Sequence, residues 1–216
     1  MARNKYPEET RKLILEVSSR LFLEKGYDKT SLQDIVNNLG GMTKGAIYHH
    51  FKSKEEILLA VVNNLSQANS LMMARIRDDK SLTGKQKLEK MFSESLTNPK
   101  QKDMFTVTPN LLDNPRLLVD YLKMVTEIVV PEYVVPVIKQ GVEDGTIKTK
   151  YPEELADVLM MLTDVWMNPI IFSMTEEQMI NRIHFVTELL KPFGIEFDTQ
   201  KLVESMTIYR NVTERD

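Results

Sequence analysis

Apolar residues recur at the 3.6-residue spacing of a helix along nearly the whole chain, and nowhere alternate over a run long enough for a strand. A chain patterned this way hides its apolar stripes only by packing helix on helix. Clusters of Pro, Gly and Asn separate the stripes, and no internal repeat or low-complexity tract is present. The fold class is read as all-α. Helices are expected at about 7–25, 31–39, 44–51 and 53–77, then at 85–97, 102–112, 115–143, 152–172, 175–191 and 199–210. The polar stretch 77–87 with Gly84 is the expected boundary: a first domain over 1–60, its last helix running on to about 77, and a second over 78–216.

Local signals support this. Pro7 suits a first helical turn, Glu8 and Glu9 suit its positive end, and Gly26 ends it. Leu13, Ile14, Val17, Leu21 and Phe22 form its stripe. Thr30 to Gln33 reads as a capping box for a short second helix, which Gly40-Gly41 breaks. Thr43 is the next N-cap, and the helix it opens has room for two turns.

Composition excludes several classes. At 42% hydrophobic and 27% charged the chain is neither disordered nor collagen-like. It has no cysteine, hence no disulfide and no thiolate site. The stretch Met1 to Glu9 has no apolar core of a leader, and no uncharged apolar run nears the ~20 residues of a membrane span. A cytoplasmic protein is expected. P-loop, Gly-x-Ser-x-Gly and His-Glu-x-x-His patterns are absent and only three histidines exist, so an enzyme is not expected and no cofactor is implied.

Charge is uneven. Residues 1–60 hold ten Lys/Arg against eight Asp/Glu, a net of +2, which leaves −5 to the remainder of a chain at −3. The twenty residues from Ile35 to Lys54 carry Lys44, Lys52, Lys54, His49 and His50 and no carboxylate. An acid-free basic surface beside an acidic remainder points to an anionic partner.

Two short helices joined by a tight Gly-containing turn, behind a longer bracing helix, make a helix-turn-helix, whose second helix enters the major groove of DNA. Gly45 and Ala46 are small enough for close approach to a duplex. Thr43, Lys44, Tyr48, His49 and His50 supply hydrogen-bonding groups, and Ile47 and Phe51 share an anchoring face. Plainer readings stand beside this one: Gly45 as a turn glycine, and Lys52 and Lys54 as a solvated face. His49 and His50 point about 100° apart, and no third ligand is near, so no metal site is expected.

The string Thr43-Lys44-Gly45-Ala46-Ile47-Tyr48-His49-His50-Phe51-Lys52-Ser53-Lys54-Glu55-Glu56, with Thr30 to Val36 before it, resembles the DNA-binding signature of the TetR family of helix-turn-helix regulators. The resemblance covers about residues 8–60. It implies a homodimeric transcriptional regulator, usually a repressor, that binds double-stranded operator DNA and leaves it when a small effector binds the C-terminal domain. By position it implies DNA contacts at Thr43, Lys44, Gly45, Ala46, Tyr48, His49 and His50, with phosphate contacts at Tyr48, Lys54 and Thr30 or Ser31. The turn Leu39 to Thr43 is one residue longer than the common form, and a positive φ at the second glycine would absorb the extra length.

Beyond residue 78 the signals are coarser. The stretch 152–172 is apolar around most of its circumference, leaving a strip of Glu154, Asp157, Asp164 and Asn168. Such a helix is buried on two sides, either by a second copy or at the centre of one chain. Leu155, Val158, Leu159, Leu162 and Ile170, with Met179, Ile183, Val186 and Leu190 of the next helix, are the expected dimer interface. Thirteen methionines suit an adaptable cavity. Met91, Phe92, Met104, Phe105, Tyr121, Met124, Met160, Met161 and Trp166 are candidate lining residues, each also readable as plain core. Pro131 and Pro136 should kink the long helix 115–143 and open space beside it. An apolar or amphipathic effector is expected. The competing reading is a helical interaction protein of this fold that has lost operator binding.

Overall fold

The computed structural model describes residues 7–213, all helices and connections with no strand among them. Residues 1–6, part of the stretch Met1 to Glu9 on which the absence of a leader was argued, lie outside the described residues. The helices are α1 Pro7–Lys25, α2 Leu32–Asn37, α3 Lys44–His50, α4 Lys54–Asp78, α5 Gly84–Thr97, α6 Pro99–Val107, α7 Pro115–Lys123, α8 Val135–Glu143, α9 Pro152–Met160, α10 Glu176–Leu190 and α11 Thr199–Thr213. Two wide π-type runs interrupt the series, Met124–Val134 between α7 and α8 and Met161–Trp166 after α9.

The first three helices and the start of α4 fold around one cluster. Ile14, Leu21 and Phe22 of α1, Ile35 of α2, Ile47 of α3 and Ile57 and Leu58 of α4 are all at most 2% exposed. Gly26 ends α1 at φ +83°, its N–H donating to the Phe22 carbonyl at 2.9 Å. Leu13, expected in the α1 stripe, is 37% exposed, and Leu15 is buried instead. The capping box of α2 sits one residue later than expected. Ser31 Oγ accepts from Asp34 N–H at 3.1 Å, and the Asp34 carboxylate accepts from Ser31 N–H at 2.9 Å. Gly40 and Gly41 both adopt positive φ, +62° and +92°, so the longer turn uses two left-handed residues where one was expected.

Helix α4 packs against α1, α5 and α6. One 18-residue window of it reaches a mean hydropathy of 1.2, the one stretch among the described helices apolar and long enough to cross a membrane by length and composition. Asn63, Asn64, Gln67 and Asn69 interrupt that window.

Gly84 is the first residue of α5, where the sequence suggested a loop. A Cβ there would lie 2.1 Å from the Gly141 nitrogen of α8, so only glycine lets these helices cross. Helix α6 begins earlier than expected, at Pro99 behind the Asn98 cap, and ends earlier because Pro109 keeps the preceding Thr108 out of the helical region. The run 115–143 is continuous but passes through the π segment containing Pro131. The carbonyl of Glu132, which a regular helix would pair with position 136, accepts from Arg77 Nη1 at 3.0 Å because Pro136 has no N–H to give. The run from Pro152 ends at Trp166, short of residue 172, since Pro169 cannot continue it.

Candidate nucleic-acid interface and internal cavity

Helix α3 is docked by its apolar side. Ile47 and Phe51, four residues apart, are 1% and 3% exposed in the first cluster. Everything else on α3 points away from the core: Thr43, Lys44, Gly45, Tyr48 and His49 are exposed, and Ala46 and His50 half-buried. Thr43 has the extended backbone of an N-cap, yet its hydroxyl makes no capping bond. Lys44 lies over the Tyr48 ring at 5.9 Å, and the His49 and His50 rings meet edge to face at 5.0 Å. Partial burial, then His49 and Arg11, hold the His50 pKa below its ordinary value, which favours the neutral ring. The acids beside this surface have partners of their own. Asp34 is held at a pKa of about 2, first by Ser31 and then by Lys25, and Glu56 accepts from the Lys52 N–H at 2.6 Å.

Gly45 is informative because nothing crowds it. A Cβ at this position would meet only Thr43 Oγ1, at an ordinary 3.6 Å, and its φ is not positive. The fold therefore does not require glycine here, although glycine inside a helix costs about 1 kcal/mol relative to alanine. The turn reading of Gly45 does not hold, since the residue lies within α3.

Two expected contacts are placed differently. Thr30 is 1% exposed and its hydroxyl donates to the Gly26 carbonyl at 2.7 Å, so it closes the α1–α2 turn and does not reach solvent. Lys54 Nζ donates to the carbonyls of Tyr27 and Thr30, both at 3.0 Å, and lies 4.0 Å over the Tyr27 ring. That ammonium fastens α4 to the turn before α2. Ser31 stays exposed at the start of α2.

A second site lies among the later helices. An internal cavity of about 150 Å³ opens between α4, α5, α6, the two π segments and α11. Of the expected lining, Met91, Phe92, Met104, Phe105, Tyr121, Met124 and Met160 face it. Met161 and Trp166 do not: Met161 is 37% exposed on the outside, and Trp166 packs edge to face on Phe185 with Arg182 stacked 4.7 Å from its ring. Polar groups missed in the sequence also line it, among them Asn69, Gln101, Thr163, Asp164 and Asn168. Tyr121 Oη donates to the Asp164 backbone carbonyl at 3.0 Å, and Asn168 Nδ2 donates to that carbonyl and to Tyr121 Oη. The surface Asp164 retains opens into the cavity. Desolvation there pushes its pKa up to about 6.

The expected dimer stripe is also corrected. Leu155, Leu159, Ile170, Met179, Ile183, Val186 and Leu190 are each at most 6% exposed in the single chain. They form its own core and have no surface left to give a partner. Val158 remains half-exposed and Leu162 partly so. With Met161, Val165, Phe185 and Leu189 they make an apolar strip along α9, the π segment that follows it and α10.

Residues 14–61 match the family model of bacterial regulatory proteins, tetR family. The helix-turn-helix segment of this chain belongs to the tetR family. The chain is 40% identical over 62 residues to the HTH-type transcriptional regulator TtgR of Pseudomonas putida, 29% of this chain and 29% of that protein. It is 32% identical over 124 residues to the uncharacterized HTH-type transcriptional regulator YerO of Bacillus subtilis (strain 168), 55% of this chain and 42% of that one. The match thus spans less than half the length of these curated relatives. The fold extends further. A transcriptional regulator of the TetR/AcrR family from Thermobifida fusca superposes with a TM-score of 0.56 at 24% identity, over 96% of this chain and 98% of that one.

Within the tetR-family segment, Lys54→Ala removes two charge-assisted bonds and should lower stability by about 1–3 kcal/mol in urea unfolding. An unchanged midpoint would return Lys54 to solvent. The cavity gives a pH signature. Asp164 has a folded pKa of about 6 against 3.8 unfolded, so between these values the folded chain keeps a proton the unfolded chain has lost. Its contribution to stability falls as pH rises through that window, by on the order of 3 kcal/mol. Asp164→Asn should therefore melt well above the parent at pH 7.5 and level with it below about pH 4. An equal shift at both pH values would put the carboxylate in bulk water.

Proposed function

We propose that this chain is a DNA-binding transcriptional regulator: a homodimeric repressor, working in the cytoplasm, that leaves a near-palindromic operator when a small molecule enters the cavity. The observation that carries the reading is Gly45, a glycine in an outward-facing helix where the free fold has room for a side chain. Close approach of the α3 backbone to a duplex explains it. Thr43, Lys44, Ala46, Tyr48, His49 and His50 are its neighbours on that surface, with Ser31 at the start of α2 placed for a phosphate. The likeness to TtgR and YerO, both HTH-type transcriptional regulators by name, supports the same function. The division of labour follows: residues 1–60 for DNA, with α4 carrying on to about 77, and residues 78–216 for effector binding and dimerisation.

The apolar strip Val158, Met161, Leu162, Val165, Phe185 and Leu189 supplies the dimer contact. Two copies meeting there bury side chains that a single chain leaves wet. A two-fold dimer sets its recognition helices against successive major grooves when they stand about 34–36 Å apart. Helix α6 lines the cavity through Gln101, Met104 and Phe105 and packs against α1 and α4, which gives an occupant of the cavity a lever on the DNA-binding helices.

The test is fluorescence anisotropy with DNA from immediately upstream of the gene, at several salt concentrations. Selective binding by two chains per site is expected, with a log–log salt slope of about −0.9 for each phosphate neutralised. Gly45→Ala should raise the stability of the free protein by up to about 1 kcal/mol and weaken operator binding about tenfold. Unchanged affinity would mean that α3 does not approach the duplex closely. Phe185→Asp should give a monomer by light scattering, since it buries an unpaired charge at the contact. A normal dimer would move the interface elsewhere.

A further inference from the structure

The cavity holds one group that the fold does not use. Among the described residues the Asp164 carboxylate has no hydrogen-bond or ion-pair partner; the two bonds at this residue go to its backbone carbonyl. No Lys, Arg, His or Glu is among the described residues lining the cavity, so Asp164 is the charge they supply. Arg182, on the neighbouring helix α10, is turned to the Trp166 carbonyl and stacked over the Trp166 and Phe172 rings. The remaining walls are thioethers such as Met91, Met124 and Met206, and aromatic faces including Phe92, Phe105 and Tyr209.

These features select a chemistry. An anion would meet an unpaired carboxylate and no cation, so it is disfavoured. A metal ion such as Ca²⁺ wants six or more oxygens, and Thr163 Oγ1 is already bound to the Leu159 carbonyl at 3.0 Å. An organic cation fits both parts: its charge pairs with the carboxylate, and its apolar body lies on methionines and ring faces, which attract cations in their own right. We propose that the cavity binds an organic cation with an apolar body, its positive head seated against the Asp164 carboxylate. This deepens the effector reading above, and rests on it only for the consequence at the operator.

The test is calorimetry on the full chain without DNA, using benzyltrimethylammonium and its uncharged carbon isostere neopentylbenzene, with benzenesulfonate as the anionic control. The wild type is expected to prefer the cation over the isostere by about tenfold or more, and to reject the sulfonate. Asp164→Asn should remove that preference while still binding neopentylbenzene, which shows the cavity intact. The wild-type comparison stands by itself should the variant fail to fold. Equal affinity for cation and isostere, a preference that survives Asp164→Asn, or no binding of the cation overturns the assignment. Titrating benzyltrimethylammonium into the operator complex separates the two readings. Binding at Asp164 without release of DNA upholds the cation site and overturns the effector role.

Discussion

Burial of Ile47 and Phe51 decides what the first 60 residues show to solvent. A seven-residue helix has no stability of its own in water, because nucleation is not recovered over two turns. Helix α3 exists because two side chains on one face lock into the cluster of Phe22, Ile35 and Leu58. The same docking sets its rotation, so Lys44, Gly45, Tyr48 and His49 project outward as a consequence of the core. The two left-handed glycines deliver α3 to that cluster, and the Lys54 ammonium fastens the turn on the opposite side. Sequence, packing and the presented surface are here one chain of cause.

The cavity is connected to that surface through helices common to both. Phe105 of α6 lines the cavity and stacks on Tyr209 of α11 with ring centroids 4.5 Å apart, while Tyr209 Oη donates to the Leu96 carbonyl. Helix α6 also meets α1 and α4. Displacing α6 cannot leave α1 unchanged, because close-packed helices do not yield independently. An effector shifts an equilibrium only through different affinity for two arrangements, and these contacts are where such a difference would be felt.

Much of this was legible in the sequence where local chemistry decides the outcome. The all-α fold followed from periodicity, α1 from Pro7 and Gly26, and the α3 surface from the anchors Ile47 and Phe51. The capping box of α10, Thr175 with Gln178, is a local signal of the same kind. What periodicity could not show was which of two apolar sides of a helix faces inward. Leu155, Leu159 and Ile183 were as suitable for an interface as Val158 and Phe185, and only packing separates them. Nor did the pattern show that Thr30 is walled in or that Lys54 reaches back across the turn, since both depend on contacts between distant segments.

Asp164 illustrates a different limit. In a regular helix it lies on the same face as Asp157, seven residues and almost two full turns away. Asp157 is exposed, while Asp164 faces the cavity. Asp164 lies inside the wide run Met161–Trp166, whose turns hold more residues than those of a regular helix, so it is rotated out of register with Asp157. The rotation takes a carboxylate from the solvent strip and sets it among methionines, at a cost in stability. Asn168 and Pro169 hold it there: the amide pins the Asp164 carbonyl, and the proline ends the helix before the register can recover. The backbone irregularity is thus what converts an amphipathic helix into the wall of a charged site.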